Sequence, residues 1–398
     1  MVLPIVGLDI ETIHHWRRYA AWLSELAYLR QVLYISLHCK FIQNHFMDTS
    51  SFLLYGANGY TGKLIAQLAK AYGLKPILAG RREEVLEPMA KDLNTSYHVV
   101  DLNDNAKLES VLKTVPLVLH AAGPFKKTAK QMIEACLKTN THYIDITGEI
   151  PVYEMAKTYH DAALEAGLML MPGAGFDVVP TDCIALFLKN KLPDATKLKL
   201  AFASIGGGLS HGTALTMAEG MGEKSAERKD GKIISVPLGH KGMWVDFGLK
   251  KLFVMTIPWG DISTAYTTTG IPNIETYTGV SPKTFKLLKF QILYNWLLRT
   301  SFMRKKALKK INNKPAGPSD EKRNNSKGLV WGEVKNKNGQ TAQARLIGPD
   351  GYTLTAHTSL IIAKKILDGH FKPGYQTPAG CYGADLILEA PGVTREEL

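Results

Sequence analysis

The stretch LLYGANGYTG, Leu53 to Gly62, sets three glycines three residues apart directly after a short apolar run. That spacing suits a phosphate-binding turn. A side chain would hold a pyrophosphate away from the backbone amides, and one position of such a turn usually needs a conformation that favours glycine. The apolar run predicts a strand, and a helix is predicted from about Thr61, with its free N–H groups and positive dipole end turned to the phosphates. A tight turn without a ligand is the alternative, and the strand–turn–helix setting favours the ligand. A nucleoside-triphosphate loop is excluded, because its leading glycine would fall at Ala57 and Leu64, not Ser or Thr, follows Lys63.

Outward from this turn the chain alternates. SFLLYG, KPILAG, SYHVVDL, PLVLHAAG, HYIDIT and LMLMPGAG read as strands, and amphipathic segments such as TGKLIAQLAKAY and KKTAKQMIEACLKT lie between them. Aliphatic runs separated by helices of about ten residues imply βαβ crossovers and a parallel sheet buried on both faces. The predicted fold class is α/β, a Rossmann-type doubly wound parallel sheet, with a second α+β domain.

The predicted boundaries are 1–46 for an N-terminal extension, 47–180 for the nucleotide-binding domain and 181–350 for an α+β substrate or dimerisation domain. A C-terminal helix and tail, 351–398, are expected to pack back on the first domain. Within 1–46, RRYAAWLSELAYLRQVLYISL has helical apolar spacing, and Met47 is expected to be the natural start unless this segment is an appended arm. After Pro180 the helix PTDCIALFLKNKL leads into Gly-, Thr- and Pro-rich sequence, where KIISVPLG and STAYTTTG alternate like strands of a mostly antiparallel sheet. Residues 304–328 are basic and poor in apolar side chains, which predicts a mobile loop.

The chain has 398 residues, 45% of them hydrophobic, and a formal net charge of +12, which admits a phosphate-bearing ligand or an anionic surface. Four scattered cysteines (Cys39, Cys136, Cys183, Cys381) form no Cys-x-x-Cys pair, so reduced thiols and no metal are expected. No apolar run reaches the roughly eighteen residues of a membrane span, and the N-terminus lacks the apolar core of a secretory signal. A cytoplasmic location is the expectation.

The end of the second strand discriminates between nicotinamide cofactors. NAD enzymes place a carboxylate there for the ribose 2′-OH, whereas ILAGRREE supplies Arg81 and Arg82 first. Guanidinium groups grip a 2′-phosphate, and arginine at a helix start opposes the dipole unless a ligand is present. NADP(H) is therefore the expected cofactor. Asp101 ends the third strand and either contacts the adenine side or caps the following helix. HAAGPF, His120 to Phe125, ends the fourth strand, where small residues admit the nicotinamide.

With YGANGYTG, LAGRR, HAAGPF, YIDITGE and PGAGFDVVPTD in this order, the chain resembles the saccharopine dehydrogenase-like oxidoreductases, a group that includes trans-acting enoyl reductases. The resemblance runs from about Ser51 to the closing TPAGCYGADLILEAPGV. It implies a Rossmann-type domain, a second domain with the active site between them, and NADP. It maps nucleotide contacts onto Gly56, Asn58, Gly59, Tyr60, Thr61, Gly62, Arg81, Arg82 and the loop with Ala122, Gly123, Pro124 and Phe125. The family's Ser-Gly-Gly-Thr segment is matched by Ser210, His211, Gly212 and Thr213, where His211 departs from the pattern, as His120 does where the family often has Asn.

Hydride transfer leaves the protein to supply one proton. Tyr60, His120, Asp177 and His211 are the candidate catalytic residues. His120 is favoured by position, a buried histidine bonded to backbone being the alternative. Asp177 precedes the helix whose first turn holds Asp182, and is expected to face the cleft. Asp145 and Glu149 are expected to be structural. A short-chain dehydrogenase pair is present in form at Tyr153 and Lys157, but its serine partner is missing between Ser110 and Ser204.

The leading functional expectation is an NADPH-dependent reductase acting on an enoyl or carbonyl group of an apolar or acyl substrate. The alternatives are a saccharopine-type amino-acid dehydrogenase and a non-catalytic NADPH-binding sensor or scaffold. A polycarboxylate substrate needs convergent arginines, and only Arg228 and Arg299 occur between Lys191 and Phe302. The segment 285–310 has apolar spacing with interleaved Lys and Arg, which suits a peripheral membrane contact as well as core packing. No nucleic-acid partner is expected. A homodimer is compatible with the sequence without being dictated by it.

Overall fold

The alternating apolar runs become the strands of one parallel sheet. The structure is a computed structural model that describes residues 50–219, 222–291, 295–298, 300–313 and 316–398. The chain divides into two compact units, Met1–Asp48 and Thr49–Leu398. The first, with the expected N-terminal helix and the question of Met47, lies outside the described residues.

The second unit opens with β1 (Ser51–Tyr55), α1 (Tyr60–Leu68), β2 (Lys75–Gly80), α2 (Glu83–Leu93), β3 (Tyr97–Val99), α3 (Asn105–Leu112), β4 (Leu117–His120), α4 (Phe125–Thr139), β5 (His142–Asp145), α5 (Ile150–Lys157), α6 (His160–Glu165) and β6 (Met169–Met171). These six strands pair in parallel in the order β6-β5-β4-β1-β2-β3. Consecutive β1 residues serve opposite faces. Phe52 and Leu54 join a core with Ile65, Leu78 and Ile144, while Leu53 and Tyr55 join one with Val118, Met132 and Tyr143. A parallel sheet covered on both sides requires this continuous apolar run.

The chain continues as α7 (Val179–Lys191), β7 (Lys197–Ile205), α8 (His211–Glu219), β8 (Ser225–Lys229), β9 (Lys232–Val236), β10 (Gly242–Asp246), β11 (Lys251–Thr256), α9 (Asp261–Thr269) and β12 (Asn273–Gly279). There follow α10 (Pro282–Leu288), α11 (Asn295–Leu298), α12 (Ser301–Asn312), α13 (Asp320–Asn324), β13 (Lys327–Lys335), β14 (Thr341–Pro349), α14 (Gly351–Leu367), β15 (Gly374–Tyr375), α15 (Pro378–Tyr382) and β16 (Thr394–Glu397). The second sheet runs β10-β11-β12-β7-β13-β14-β16, with the β8–β9 hairpin attached through β12. It is mixed, because β12 and β7 pair in parallel. The doubly wound sheet with a second mixed-sheet domain confirms the fold class.

Four sequence expectations need correction. STAYTTTG is helical, lying in α9, because Thr264 and Thr269 bond back to the carbonyls of Gly260 and Ala265 and so carry their hydroxyls into a buried helix. Residues 304–328 are no single loop, since α12, α13 and the start of β13 fall there, with Thr300 and Ser319 capping the two helices. The described residues of 285–310 form three helices, α10, α11 and α12, instead of one amphipathic helix. The tail is shared: α14 packs on α1 and β15 adds to β6, but β16 pairs with β14 of the second sheet.

Candidate functional site

Strands β1 and β4 are spatial neighbours whose connections depart in opposite directions, and such a switch point leaves a crevice at the carboxyl ends of the strands. The glycine turn lies there. Gly56 has φ +88°, its N–H donates to the Ala79 carbonyl at 2.8 Å, and a Cβ on it would come within 2.8 Å of Ala121 C and Ala122 N. The turn thus touches the loop that follows β4. A Cβ on Gly62 would collide with the Gly56 carbonyl oxygen and lie 2.9 Å from Ala57 Cα. The first and third glycines are therefore imposed by packing as well as by any ligand.

Helix α1 starts at Tyr60 behind Gly59, with no side-chain cap and no acid in its first turn. An uncapped N-terminus at a glycine turn leaves N–H donors and the positive dipole end for an anion. Asn58 sits between the turn and β2, its Oδ1 3.0 Å from a Cβ built on Gly80. Thr61 occupies the first turn of α1.

Arg81 and Arg82 follow β2, both exposed, and Arg82 is the N-cap residue of α2, ahead of Glu83 and Glu84 in the first turn. Neither guanidinium makes a hydrogen bond or ion pair among the described residues. Two unpaired arginines beside a strand end present a ready grip for a phosphate. Asp101 accepts from the Asn103 backbone and side-chain N–H groups at 2.9 and 2.8 Å, closing the turn after β3, while α3 is capped by Asp104 instead. An adenine contact by Asp101 is left without support.

The loop Ala121–Phe125 is pinned from two sides. Glu149 accepts from the N–H groups of Phe125 and Lys126 at 2.9 and 3.0 Å, capping α4 from the loop after β5. On the other side, Thr128 Oγ1 donates to the Ala122 carbonyl at 2.9 Å and so accepts from His120 Nε2–H at 2.9 Å. His120 is sealed at 0% exposure between Tyr55 and Phe125, its Nδ1 has no hydrogen-bond partner among the described residues, and burial pushes its pKa down to about 3. A neutral, enclosed imidazole bonded to Thr128 fits the bracing of this loop, the buried alternative to a role as an acid.

Tyr60 is also committed elsewhere. Its hydroxyl donates to the Pro318 carbonyl at 2.8 Å and accepts from Arg323 Nη1 at 3.2 Å. Its ring lies against Gly317 and meets the Tyr352 ring edge-on, the two ring centroids 5.1 Å apart. The Tyr352 hydroxyl accepts from the Ser210 N–H at 2.6 Å and meets Thr213 Oγ1 at 3.2 Å. His211 opens α8, half-buried, and its N–H donates to the Ala316 carbonyl at 2.8 Å. A strap, residues 316–324, therefore joins the glycine turn to the 210–213 loop of the second domain.

Asp177 lies after β6. Its carboxyl rests over Gly148, where an added Cβ would come within 2.8 Å of Oδ2, and its carbonyl accepts from Trp259 Nε1–H at 2.6 Å. Burial, with the Glu149 charge beside it, pushes the pKa up to about 7. Half-buried aromatic rings flank it: Phe176 meets Phe202 at 6.0 Å, and Phe202 meets Trp259 at 4.5 Å. Asp145 is buried and accepts from Tyr143, Thr147 N–H and Gly173 N–H, bracing the ends of β5 and β6. Tyr153 is fully buried with its hydroxyl on the Thr147 carbonyl, and Lys157 bonds Glu154 and Ser263, so no short-chain dehydrogenase pair exists.

Sequence reasoning missed Glu149 as a loop cap, Thr128, Trp259 and Arg323. Only Glu149 carried a local signal, standing just before a helix with Pro151 in its first turn. Among the described residues no group of His, Cys, Asp and Glu is arranged to hold a metal. No helix among them is long and apolar enough to cross a membrane.

Residues 52–171 match the family model of the saccharopine dehydrogenase NADP binding domain. A rat saccharopine dehydrogenase-like oxidoreductase is 28% identical over 202 residues, covering 44% of this chain and 47% of that protein. A Mycobacterium tuberculosis protein named as a trans-acting enoyl reductase is 32% identical over 181 residues, covering 42% of this chain and 43% of that protein. The chain spans about half the length of the curated relatives it matches. Among solved structures, the apo saccharopine dehydrogenase (L-Glu forming) of Saccharomyces cerevisiae superposes with TM-score 0.61 at 14% identity, covering 88% of this chain and all of that one, a likeness of fold. The resemblance drawn from the sequence is thereby confirmed.

Proposed function

We propose that the protein, whose residues 52–171 match the saccharopine dehydrogenase NADP binding domain, is an NADP(H)-dependent reductase of an enoyl or carbonyl group in a lipophilic or acyl substrate. The observation that carries the cofactor half is the pair of unpaired arginines, Arg81 and Arg82, at the end of β2 next to an uncapped α1. The turn would hold the pyrophosphate at the free N–H groups of the first turn of α1, Tyr60 to Gly62, since the Gly59 N–H is bonded to the Gly56 carbonyl, and the Ala121–Phe125 loop would receive the nicotinamide. When bound, the reduced nicotinamide supplies hydride. The protein's task is to hold the substrate beside it, exclude water and provide a proton.

The substrate half rests on the wall of Phe176, Phe202 and Trp259, which favours an apolar group, and on the name borne by the mycobacterial relative. A saccharopine-like substrate is disfavoured. Arg228 is 6% exposed, donates to the carbonyls of Ile262 and Gly231, and stacks on Tyr266, which leaves it unavailable to a substrate carboxylate. Arg299 lies outside the described residues.

An oxidoreductase working from the cytoplasm can meet lipophilic substrates at an anionic membrane surface. Leu287, Phe290, Trp296 and Phe302 are each more than 60% exposed, among Lys283, Lys286, Lys289, Lys305, Lys306, Lys309 and Lys310. Such a mixture of apolar and cationic side chains suits a peripheral contact. Co-sedimentation with anionic but not neutral vesicles, lost on Phe290→Glu with Phe302→Glu, is the expected outcome.

Reductase function is tested by following loss of NADPH absorbance with a panel of enoyl and keto acyl thioesters. Consumption with at least one apolar member is expected. Tight NADPH binding without consumption across the panel would favour a sensor or scaffold.

A further inference from the structure

We propose that Asp177 is the proton donor of the reduction and that Glu149 is its positioning residue, one carboxylate that both shapes the nicotinamide loop and faces the acid. The proposal rests on the reductase reading. Its geometry is local: the Asp177 carboxyl rests over Gly148, and the next residue, Glu149, accepts from the Phe125 and Lys126 N–H groups that end the nicotinamide loop. Asp177 thus lies at the junction of the loops after β4, β5 and β6, with Trp259 of the second domain closing the fourth side.

Three features suit it to the task. Its backbone is held by the Trp259 indole, and Gly148 leaves room for its carboxyl where any side chain would collide. Among the described residues its oxygens, unlike those of Asp145 and Asp182, accept no hydrogen bond, so a proton there is not already shared. It borders the aromatic wall of Phe176, Phe202 and Trp259, where an apolar substrate is expected. Among the described residues the ionisable groups coupled to it by charge are Glu149, Asp261 and Tyr153, and none of these is a cation. Negative neighbours and burial keep a proton on the carboxyl near neutral pH.

The step balances simply. As the substrate gains two electrons with the hydride, the Asp177 O–H bond breaks and its proton bonds to the α-carbon of an enoyl group or the oxygen of a carbonyl. The carboxylate left behind takes a proton from water before the next turnover. Tyr60 and His120 need not take part, and neither is placed to do so.

The test combines titration with turnover in the full-length protein. In carboxyl 13C NMR, the resonance missing from Asp177→Asn should titrate with a midpoint near neutrality and move to lower pH in Glu149→Gln. NADPH binding, read by fluorescence, should persist in Asp177→Asn, while turnover falls about 100-fold or more with little change in KM. A midpoint in the ordinary carboxylate range, or turnover undiminished in Asp177→Asn, overturns the assignment while the cofactor reading stands. Wild-type protein that fails to bind NADPH overturns the reductase reading itself, and the assignment with it.

Discussion

Gly62 shows how one position serves fold and ligand together. Its hydrogen lies against the Gly56 carbonyl and Ala57, so Gly62→Ala is expected to cost about 1–3 kcal/mol by overpacking, read from denaturant midpoints, and to weaken NADPH binding by displacing α1. His120 carries the opposite lesson. Its place in the sequence, at the end of β4 before small residues, was legible, but its enclosure by Tyr55, Phe125 and Thr128 was not, because those partners come from different elements. Thr128→Val removes the acceptor for His120 and the donor to Ala122 at almost constant shape. The expected cost is about 1–3 kcal/mol, with Thr128→Ser restoring most of it in the same unfolding assay. Equal stability of Thr128→Val and wild type would show that the loop is held without this relay.

Elements with strong local periodicity were readable and those held by distant partners were not. The six strands and their helices follow from apolar runs that alternate between two cores. Helix α9 was misread because Ser and Thr favour strands by propensity, whereas here Ser263 and Thr264 are 0% exposed and the Thr264 and Thr269 hydroxyls are satisfied within the helix. The strap 316–324 was invisible, since its polar sequence suggests a loop and its partner Tyr60 is 258 residues away from Pro318. Tyr60→Phe cuts the ties to Pro318 and Arg323 while keeping the ring on Tyr352. Faster proteolysis or amide exchange across 316–324 is expected, and exchange unchanged from wild type would mean that packing alone secures the strap.

Across the molecule, buried carboxyls couple stability to pH. Burial raises Asp145 and Asp182 to about 6 and Asp177 to about 7, each against an unfolded value of about 3.9. A raised folded pKa contributes stability that is fully present below about pH 4 and is lost as pH rises through 6 to 7. Asp182, which accepts from Thr268 and the Ala379 N–H, ties α7 to α9 and α15. Asp182→Asn should be less stable than wild type at pH 5, and the gap should narrow by pH 8 in thermal unfolding at constant ionic strength. A gap that widens with pH would reverse the sign and place a charged Asp182 in the fold. The domain that binds nucleotide was legible because its signals are local to each βα unit, while Asp177, Gly148 beneath it and the rings of Phe202 and Trp259 come together only when both sheets are in place.

The most direct measurement is a fluorescence titration with NADPH and NADH on wild type and on the Arg81→Ala, Arg82→Ala double variant. Removing a charge-assisted phosphate grip should cost on the order of 1.5–3 kcal/mol for NADPH and little for NADH. Wild type that prefers NADPH, with the preference lost in the variant, is the predicted result. Equal affinity of wild type for the two nucleotides, or no binding of either, would contradict an NADP(H) site at the glycine turn.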